Sequence, residues 1–502
     1  IVREIPACIL GKMESFQANK GKIQLRWYEN EIYILNTVRE AEELIRDHYI
    51  QTGVATLVMD DTNPFTNTYQ SVYRLRHNQV GTFKQYCFAR GYPIIESMPY
   101  DTSTTLFNIR DGVMIRRYQQ EAVDSVAVGG LLYNGIIVLP CGAGKTLTGI
   151  LLCRLVKTGI FILCSNIQSC RQWARQFREF TDIDPMSIYT FTSGSTNKIP
   201  PKIDGCIVIT TYAMFGMSRE NRSDESGYMM DNFMRYAWGL LLLDEVQMAP
   251  SEVTRHAIME LKSMSKVGLT ATLLREDDHI SDIDFIIGPK LYEVGWRTLS
   301  NHGFLAELKY TEIICPMSAL FMRKFLQHTN GGSLDTARAT IRSGNPNKIA
   351  VCKYIIRYHQ QKRHKILVFC DSIKSVHVYS NHILNVPYID GSTPEDKRER
   401  ILARFQCNYD DPIAINTLIL SQVGDVAIDL PDAQVGIQLG FLGGSRRQET
   451  QRIGRIIRPK QAHNVAYFYS LVSGGANEER FSNRRREFIQ AQGYNYATYR
   501  MS

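Results

Sequence analysis

Leu139-Pro140-Cys141-Gly142-Ala143-Gly144-Lys145-Thr146 follows an apolar run and precedes a helix-like stretch, Leu147 to Val156. Strand, glycine loop and helix is the setting of a phosphate-binding loop. Gly142 and Gly144 let backbone N–H groups approach phosphate oxygens, with Ala143 between them, and the helix N-terminus adds positive potential. Lys145 supplies charge to the β- and γ-phosphates, and the Thr146 hydroxyl can ligate Mg2+. The first glycine usual in such loops is replaced by Leu139. A second constellation is Leu240-Leu241-Leu242-Leu243-Asp244-Glu245, two carboxylates at the end of an apolar strand, where open α/β sheets hold ligands. Asp244 can hold Mg2+ through water, and Glu245 can orient and deprotonate an attacking water. Surface acids capping a strand are the plainer reading, but the loop at Lys145 makes it minor. Loop and pair together imply a nucleoside triphosphatase.

The third constellation is Gln448-Glu449-Thr450-Gln451-Arg452-Ile453-Gly454-Arg455-Ile456-Ile457-Arg458. Its arginines recur every three residues, so a helix groups them on one face. A guanidinium set against a γ-phosphate from a separate domain would link cleft closure to hydrolysis. A solvated basic helix is the alternative.

These groups need a scaffold. Residues 112–300 alternate helical stretches with short apolar runs: Gly135–Pro140, Ile160–Cys164, Cys206–Thr211, Gly239–Leu243 and Val267–Thr270. Runs apolar throughout belong to strands covered on both faces, and the alternation predicts a doubly wound parallel sheet. Residues 346–480 repeat the design with Lys365–Asp371, Pro387–Asp390, Asn416–Leu420, Val435–Leu439 and Val465–Leu471. The expected fold is therefore α/β, with an accessory region at 1–110, a first domain at 111–300 and a second at 301–502. In the accessory region Ile34, Leu35, Val38, Leu44, Ile45 and Tyr49 suggest an amphipathic helix. Asp60-Asp61-Thr62-Asn63-Pro64 reads as a turn. Val72 to Ile94 reads as strand, helix and strand, ending near Tyr92-Pro93.

At 502 residues the chain predicts about three domains. Hydrophobic and charged shares of 44% and 22% are those of a globular protein and exclude fibrous or low-complexity readings. The net charge is 58 − 50 = +8, a mild excess compatible with a nucleic-acid partner. The eleven cysteines include no C-x-x-C pair, which argues against zinc ribbons and iron–sulfur clusters and for reduced, buried thiols inside the cell. No run approaches the ~18 apolar residues of a membrane span. The first residue is Ile1, not Met, so a preceding segment is expected. Trp173 falls at helical spacing and reads as core rather than as a base-stacking residue. The histidines form no metal-spaced cluster. Arg484-Arg485-Arg486 reads as a solvated helix face or a phosphate or nuclear-import patch.

Lys145-Thr146, Asp244-Glu245, Thr270-Ala271-Thr272 and Gln451–Arg458 resemble motifs I, II, III and VI of superfamily 2 helicases. More narrowly, Leu139–Thr146, Gly268–Asp278, Ile287–Glu293, Gly443–Glu449 and Phe468–Ser473 resemble the XPB family, the DNA translocase of the transcription and repair factor TFIIH. The resemblance runs from about Val72 to Tyr496. It implies two RecA-like domains in tandem behind an α+β N-terminal accessory domain similar to a damage-recognition region. Arg116, Tyr118 and Gln119 resemble the block that recognises the nucleotide base. Arg455 and Arg458 resemble arginine fingers, beside Gln451 of the same motif. Thr270 and Thr272 would couple hydrolysis to movement. Ser165 and Asn166 resemble motif Ia, and Thr210 and Thr211 motif Ib. Arg275, Glu276 and Asp277 match the family's R-E-D element. Ser421, Gln422, Gly424 and Asp425 resemble motif V at the nucleotide and interdomain cleft. Hydroxyls and backbone N–H groups there would hold phosphates without reading bases.

Two departures stand out. The family's D-E-V-H is Asp244-Glu245-Val246-Gln247 here. Gln can still donate and accept hydrogen bonds, so hydrolysis is expected to survive. The segment 317–345 occupies the place of a thumb-like insertion but differs in sequence. The resemblance implies an ATP- and Mg2+-dependent 3′→5′ DNA helicase and double-stranded DNA translocase in the nucleus. It would act with other TFIIH subunits, without membrane or homo-oligomer, in promoter opening and nucleotide excision repair. The alternatives are an RNA helicase or remodelling ATPase of the same superfamily, and a mainly structural ATP-binding subunit.

Overall fold

The computed structural model describes residues 105–193, 205–248, 252–271, 286–327, 341–421, 433–440, 446–458, 464–475 and 493–501, with shorter stretches elsewhere, among them the N-terminal strands. The chain divides into two compact units: 1–139 with 144–293, and 294–502 with the short loop 140–143. They are described in turn.

The first unit holds two sheets. The N-terminal one comprises β1 (Ile23–Tyr28), β2 (Glu31–Leu35), β3 (Ala55–Thr62), β4 (Tyr69–Leu75), β5 (Ile94–Pro99), β6 (Ala127–Val128) and β7 (Leu131–Tyr133), in the order β3-β4-β2-β1-β5-β7-β6. Its pairs are antiparallel except β1 with β5. The apolar residues Ile34 and Leu35, expected to open a helix, end β2 instead, because pairing with Leu25 and Gln24 extends them. Val38, Leu44, Ile45 and Tyr49 lie outside the described residues. Asp60, Asp61 and Thr62, expected in a turn, continue β3 opposite Ser71, Gln70 and Tyr69. The strand expected to end near Pro93 begins just after it, at Ile94.

The second sheet is the one the apolar runs foretell. It comprises β8 (Gly135–Val138), β9 (Ile160–Cys164), β10 (Ile188–Phe191), β11 (Ile207–Thr211), β12 (Trp238–Asp244), β13 (Ser263–Thr270) and β14 (Lys290–Glu293), all parallel, in the order β10-β11-β9-β12-β13-β8-β14. β9 and β11 are buried along their whole length, as strands with helices on both faces must be. Phe161 anchors the aromatic side of the core, 5.0 Å from Trp238 and 5.6 Å from Phe233. Each such ring contributes about 1.5–3 kcal/mol by burial. The order sets β12, β13 and β8 side by side, so their carboxyl ends, carrying Asp244, Thr270 and the glycine loop, converge.

A buried polar cluster joins the two sheets. Lys84 pairs with Glu96 at 2.6 Å, Asn134 donates to Glu96, and the Lys266 backbone N–H donates to Asn134 at 2.9 Å. Burial pushes Lys266 down to about 8. Pairing holds Glu96 below its ordinary value although burial alone would raise it.

The second unit is built on β15 (Glu307–Pro316), β16 (Ile366–Phe369), β17 (Tyr388–Ile389), β18 (Thr417–Leu420), β19 (Val435–Gln438), β20 (Val465–Gly474) and β21 (Asn495–Arg500). All pair in parallel, in the order β17-β18-β16-β19-β20-β15-β21. Of the thumb-like segment, a helix at Ala319–Gln327 is described and 328–340 are not. Of the ten cysteines among the described residues, eight are buried. No helix among them is long and apolar enough to cross a membrane.

Candidate functional site

The glycine loop expected to bind phosphate follows β8. Gly142 and Gly144 both have φ of 80°, a left-handed backbone that a side chain would strain. Gly144 caps the helix Lys145–Cys153, and its carbonyl accepts from the Thr148 N–H at 3.1 Å. Leu139, in the place of the usual glycine, is fully buried, and its N–H donates to the Thr270 carbonyl at 2.9 Å. That bond ties the root of the loop to the end of β13.

The block expected to recognise the base lies beside the loop. Arg116 precedes the helix Arg117–Val126; its N–H donates to the Gln119 side chain at 2.9 Å and its guanidinium to Tyr118 Oη at 3.1 Å. The Gln119 carboxamide packs so close to Gly144 that a Cβ there would lie 2.5 Å from its nitrogen. Glycine at 144 thus serves both the backbone turn and this approach.

At the end of β12 the acidic pair meets the lysine. Lys145 Nζ lies 3.5 Å from Glu245 Oε1. Burial, then the neighbouring Glu245 carboxylate, push Asp244 up to about 6, against the pull of the Trp173 indole and Lys145. Glu245 itself has φ of +51°, a strained backbone for a non-glycine residue and of the kind kept at functional sites. Gln247 Nε2 donates to Glu245 Oε2 at 2.6 Å, and Thr270 Oγ1 donates to Gln247 Oε1 at 2.6 Å. An unbroken polar chain therefore runs Lys145–Glu245–Gln247–Thr270. Gln247 uses both its donor and its acceptor, so the residue departing from D-E-V-H still makes the link from the acid to β13.

The donors Thr146 and Asp244 are hard oxygens, which suit Mg2+. Among the described residues no cluster of three or more His, Cys, Asp and Glu could cage a metal by itself.

The remaining first-unit residues are placed less openly. Asn166 caps the helix Ile167–Phe180 by accepting from the Ser169 N–H at 2.9 Å, and it donates to Ser165 Oγ at 3.0 Å. Thr210 is buried, with its hydroxyl on the Phe191 carbonyl at 2.6 Å, and Thr211 caps the turn that follows by accepting from the Met214 N–H. Thr272, Arg275, Glu276, Asp277, Gln422, Gly424 and Asp425 lie outside the described residues.

In the second unit the arginine helix spans Arg446–Ile456. It is anchored by residues outside the expected set. Glu449 is buried and accepts from Tyr310 Oη. Arg452, also buried, reaches Gln438 and, at 3.4 Å, Asp371, with its guanidinium 5.0 Å from the Phe369 ring. With those two turned inward, Gln451, Arg455 and Arg458 keep partial exposure. The spacing of three therefore does not put all the arginines to one use: Arg452 is structural. Ser421, after β18, is buried, and its N–H donates to the Ile389 carbonyl at 3.0 Å.

Two RecA-like sheets, one ending in a phosphate loop and an acid pair and the other carrying an arginine helix, define a protein of the helicase class. Solved structures share this fold: a "Crystal structure of Pyrococcus furiosus Hef helicase domain" (TM-score 0.50, 15% identity, 75% of this chain and 99% of that one) and an "ATP-dependent Type ISP restriction-modification enzyme LlaBIII bound to DNA" (0.55, 14%, 78% and 31%). Residues 299–501 match the family profile "ERCC3/RAD25/XPB C-terminal helicase", and 112–275 match "Type III restriction enzyme, res subunit". Three curated relatives are "General transcription and DNA repair factor IIH helicase/translocase subunit XPB" proteins. That of Dictyostelium discoideum is 39% identical over 87% of this chain and 54% of its own length. That of Saccharomyces cerevisiae is 38% identical over 84% and 49%. That of Enterocytozoon bieneusi is 35% identical over 97% and 78%. The chain belongs to the XPB family. It spans about half the length of the Dictyostelium and yeast relatives.

Proposed function

We propose that the chain is an ATP-dependent DNA helicase and translocase of XPB type that moves 3′→5′ on double-stranded DNA. It works as a nuclear subunit of TFIIH in promoter opening and nucleotide excision repair. The observation that carries the reading is the chain Lys145–Glu245–Gln247–Thr270, which joins phosphate loop, acid pair and the strand of motif III through hydrogen-bonding side chains. A site kept only to bind ATP has no need of that continuity.

In this reading Gly142, Ala143 and Gly144 present backbone N–H groups to phosphate, and Lys145 leaves Glu245 to meet the β- and γ-oxygens. Arg116, Tyr118 and Gln119 hold the base. Thr146 and Asp244 would hold Mg2+, which would supply Lewis-acid stabilisation of phosphoryl charge. Glu245 takes the proton of the attacking water. Gln247, bonded to both Glu245 and Thr270, passes a change at the acid to β13, and Thr272 extends that path. Arg455 and Arg458 act as arginine fingers, and Gln451 lies beside them. Ser165, Asn166, Thr210, Thr211, Arg275, Glu276, Asp277, Ser421 and Gln422 serve DNA contact and coupling, while Gly424 and Asp425 serve the nucleotide. The functional division is an accessory region at 1–110, a first RecA-like domain at 111–300 and a second at 301–502. ATP turnover of the chain beside its Lys145→Arg variant tests the catalytic reading. Turnover confined to the unmodified chain is expected, and equal turnover in both would leave a structural subunit.

A further inference from the structure

Trp173 is buried in the helix Ile167–Phe180, and its indole Nε1 donates to Asp244 Oδ2 at 2.9 Å. Indole nitrogen is a donor only, so the bond favours the ionised carboxylate. The ring has little freedom to leave. It packs against Phe177 at 6.1 Å between centroids. It also abuts Gly149 of the helix Lys145–Cys153, where a Cβ would lie 2.4 Å from the ring, 2.9 Å from Leu269 and 3.0 Å from Leu242. The Tyr212 hydroxyl donates to the Asp244 backbone carbonyl at 3.1 Å, so side chain and main chain of the acid are both held.

We propose that Trp173 is a positioning residue for Asp244: its indole N–H fixes one carboxylate oxygen and leaves the other to Mg2+ of the bound nucleotide. The inference rests on the nucleotide-site reading above. It gives a residue with the environment of a core tryptophan a role at the reacting centre. The role requires the N–H as well as the ring.

Trp173→Phe keeps an aromatic ring and removes the donor. The expected result is a fall in kcat of about tenfold, the lower end of what loss of an outer-shell partner costs. The Mg2+ concentration for half-maximal rate should rise several-fold, with KM for ATP at saturating Mg2+ little changed. A purely packing role would leave kcat and Mg2+ dependence at the unmodified values, and that result overturns the proposal. A second measurement needs no turnover and does not use the Trp173→Phe variant. In protein labelled with 5-fluorotryptophan, the Trp173 resonance is assigned by exclusion with Trp27→Phe, Trp238→Phe and Trp296→Phe. It should shift in Asp244→Asn and again when Mg2+ and a non-hydrolysable ATP analogue are added to the unmodified chain. A resonance indifferent to Asp244 overturns the proposal. Absence of turnover in the unmodified chain counts instead against the function proposed above, which keeps the two failures distinct.

Discussion

Gln247 shows how a single side chain can depart from a family pattern and keep its task. An imidazole in that position has two ring nitrogens; a carboxamide has one oxygen and one nitrogen, and here each is used, on Thr270 and Glu245. Removing the amide would take from Thr270 Oγ1 its Gln247 acceptor in a buried setting and from Glu245 its Gln247 donor. Hydrogen bonds to a charged group are worth about 1.5–3 kcal/mol. Gln247→Ala should therefore lower kcat by about ten- to a hundredfold while KM for ATP changes little, because the link serves coupling rather than substrate binding. Steady-state kinetics decide it: an unchanged kcat would remove Gln247 from the pathway. The residue itself is visible in the sequence as an anomaly. Its two partners, one of them 23 positions away, are not.

Among the elements, legibility follows burial. Runs such as Ile160–Cys164 emerge as strands with the boundaries expected, since a strand covered on both faces leaves an uninterrupted apolar word. β15, with Glu307, Lys309 and Glu312 among its apolar residues, and the largely exposed edge strand β21 carry no such word. They become strands because β20 and β15 pair with them. The helix that follows the glycine loop, the strand that ends at Asp244 and the helix Arg446–Ile456 stand where the sequence placed those segments. The indole on Asp244, 71 residues away, was hidden by the long-range packing that creates it. Packing also reverses a rule at Gly149. Gly→Ala inside a helix ordinarily gains about 1 kcal/mol. Here the new Cβ would press on Trp173 and Leu269, and overpacking costs about 1–3 kcal/mol. Gly149→Ala should melt below the unmodified chain; a higher melting temperature would contradict this. In the second unit, His359 Nδ1 lies 2.9 Å from His364 Nδ1 and its Nε2 2.9 Å from Tyr469 Oη. Burial, then His364 and Lys362, push His359 down from 6.5 to about 4. Its ring stays neutral in the fold while the unfolded chain takes up the proton first. Stability should thus fall as pH drops from 6.5 towards 4 and then lose this dependence. Denaturation midpoints across that window should show a shallower slope in His359→Phe, and an equal slope would refute the assignment.

For the whole molecule, the net charge of +8 is small for a protein that coats DNA and suits one that must grip phosphates and release them. Several of the cations are engaged within the protein: Lys145 with Glu245, Arg452 with Asp371, Lys84 with Glu96. The N-terminal sheet is not a loose appendage, because the Glu96–Asn134–Lys266 contacts tie it to β13, the strand that ends at Thr270. The central claim is that ATP hydrolysis at the Lys145–Glu245 site is driven by duplex DNA. The direct measurement is the rate of ATP turnover with duplex DNA, single-stranded DNA or RNA added in turn. The account predicts the largest stimulation by duplex DNA; stimulation by RNA alone, or a rate indifferent to any nucleic acid, would contradict it.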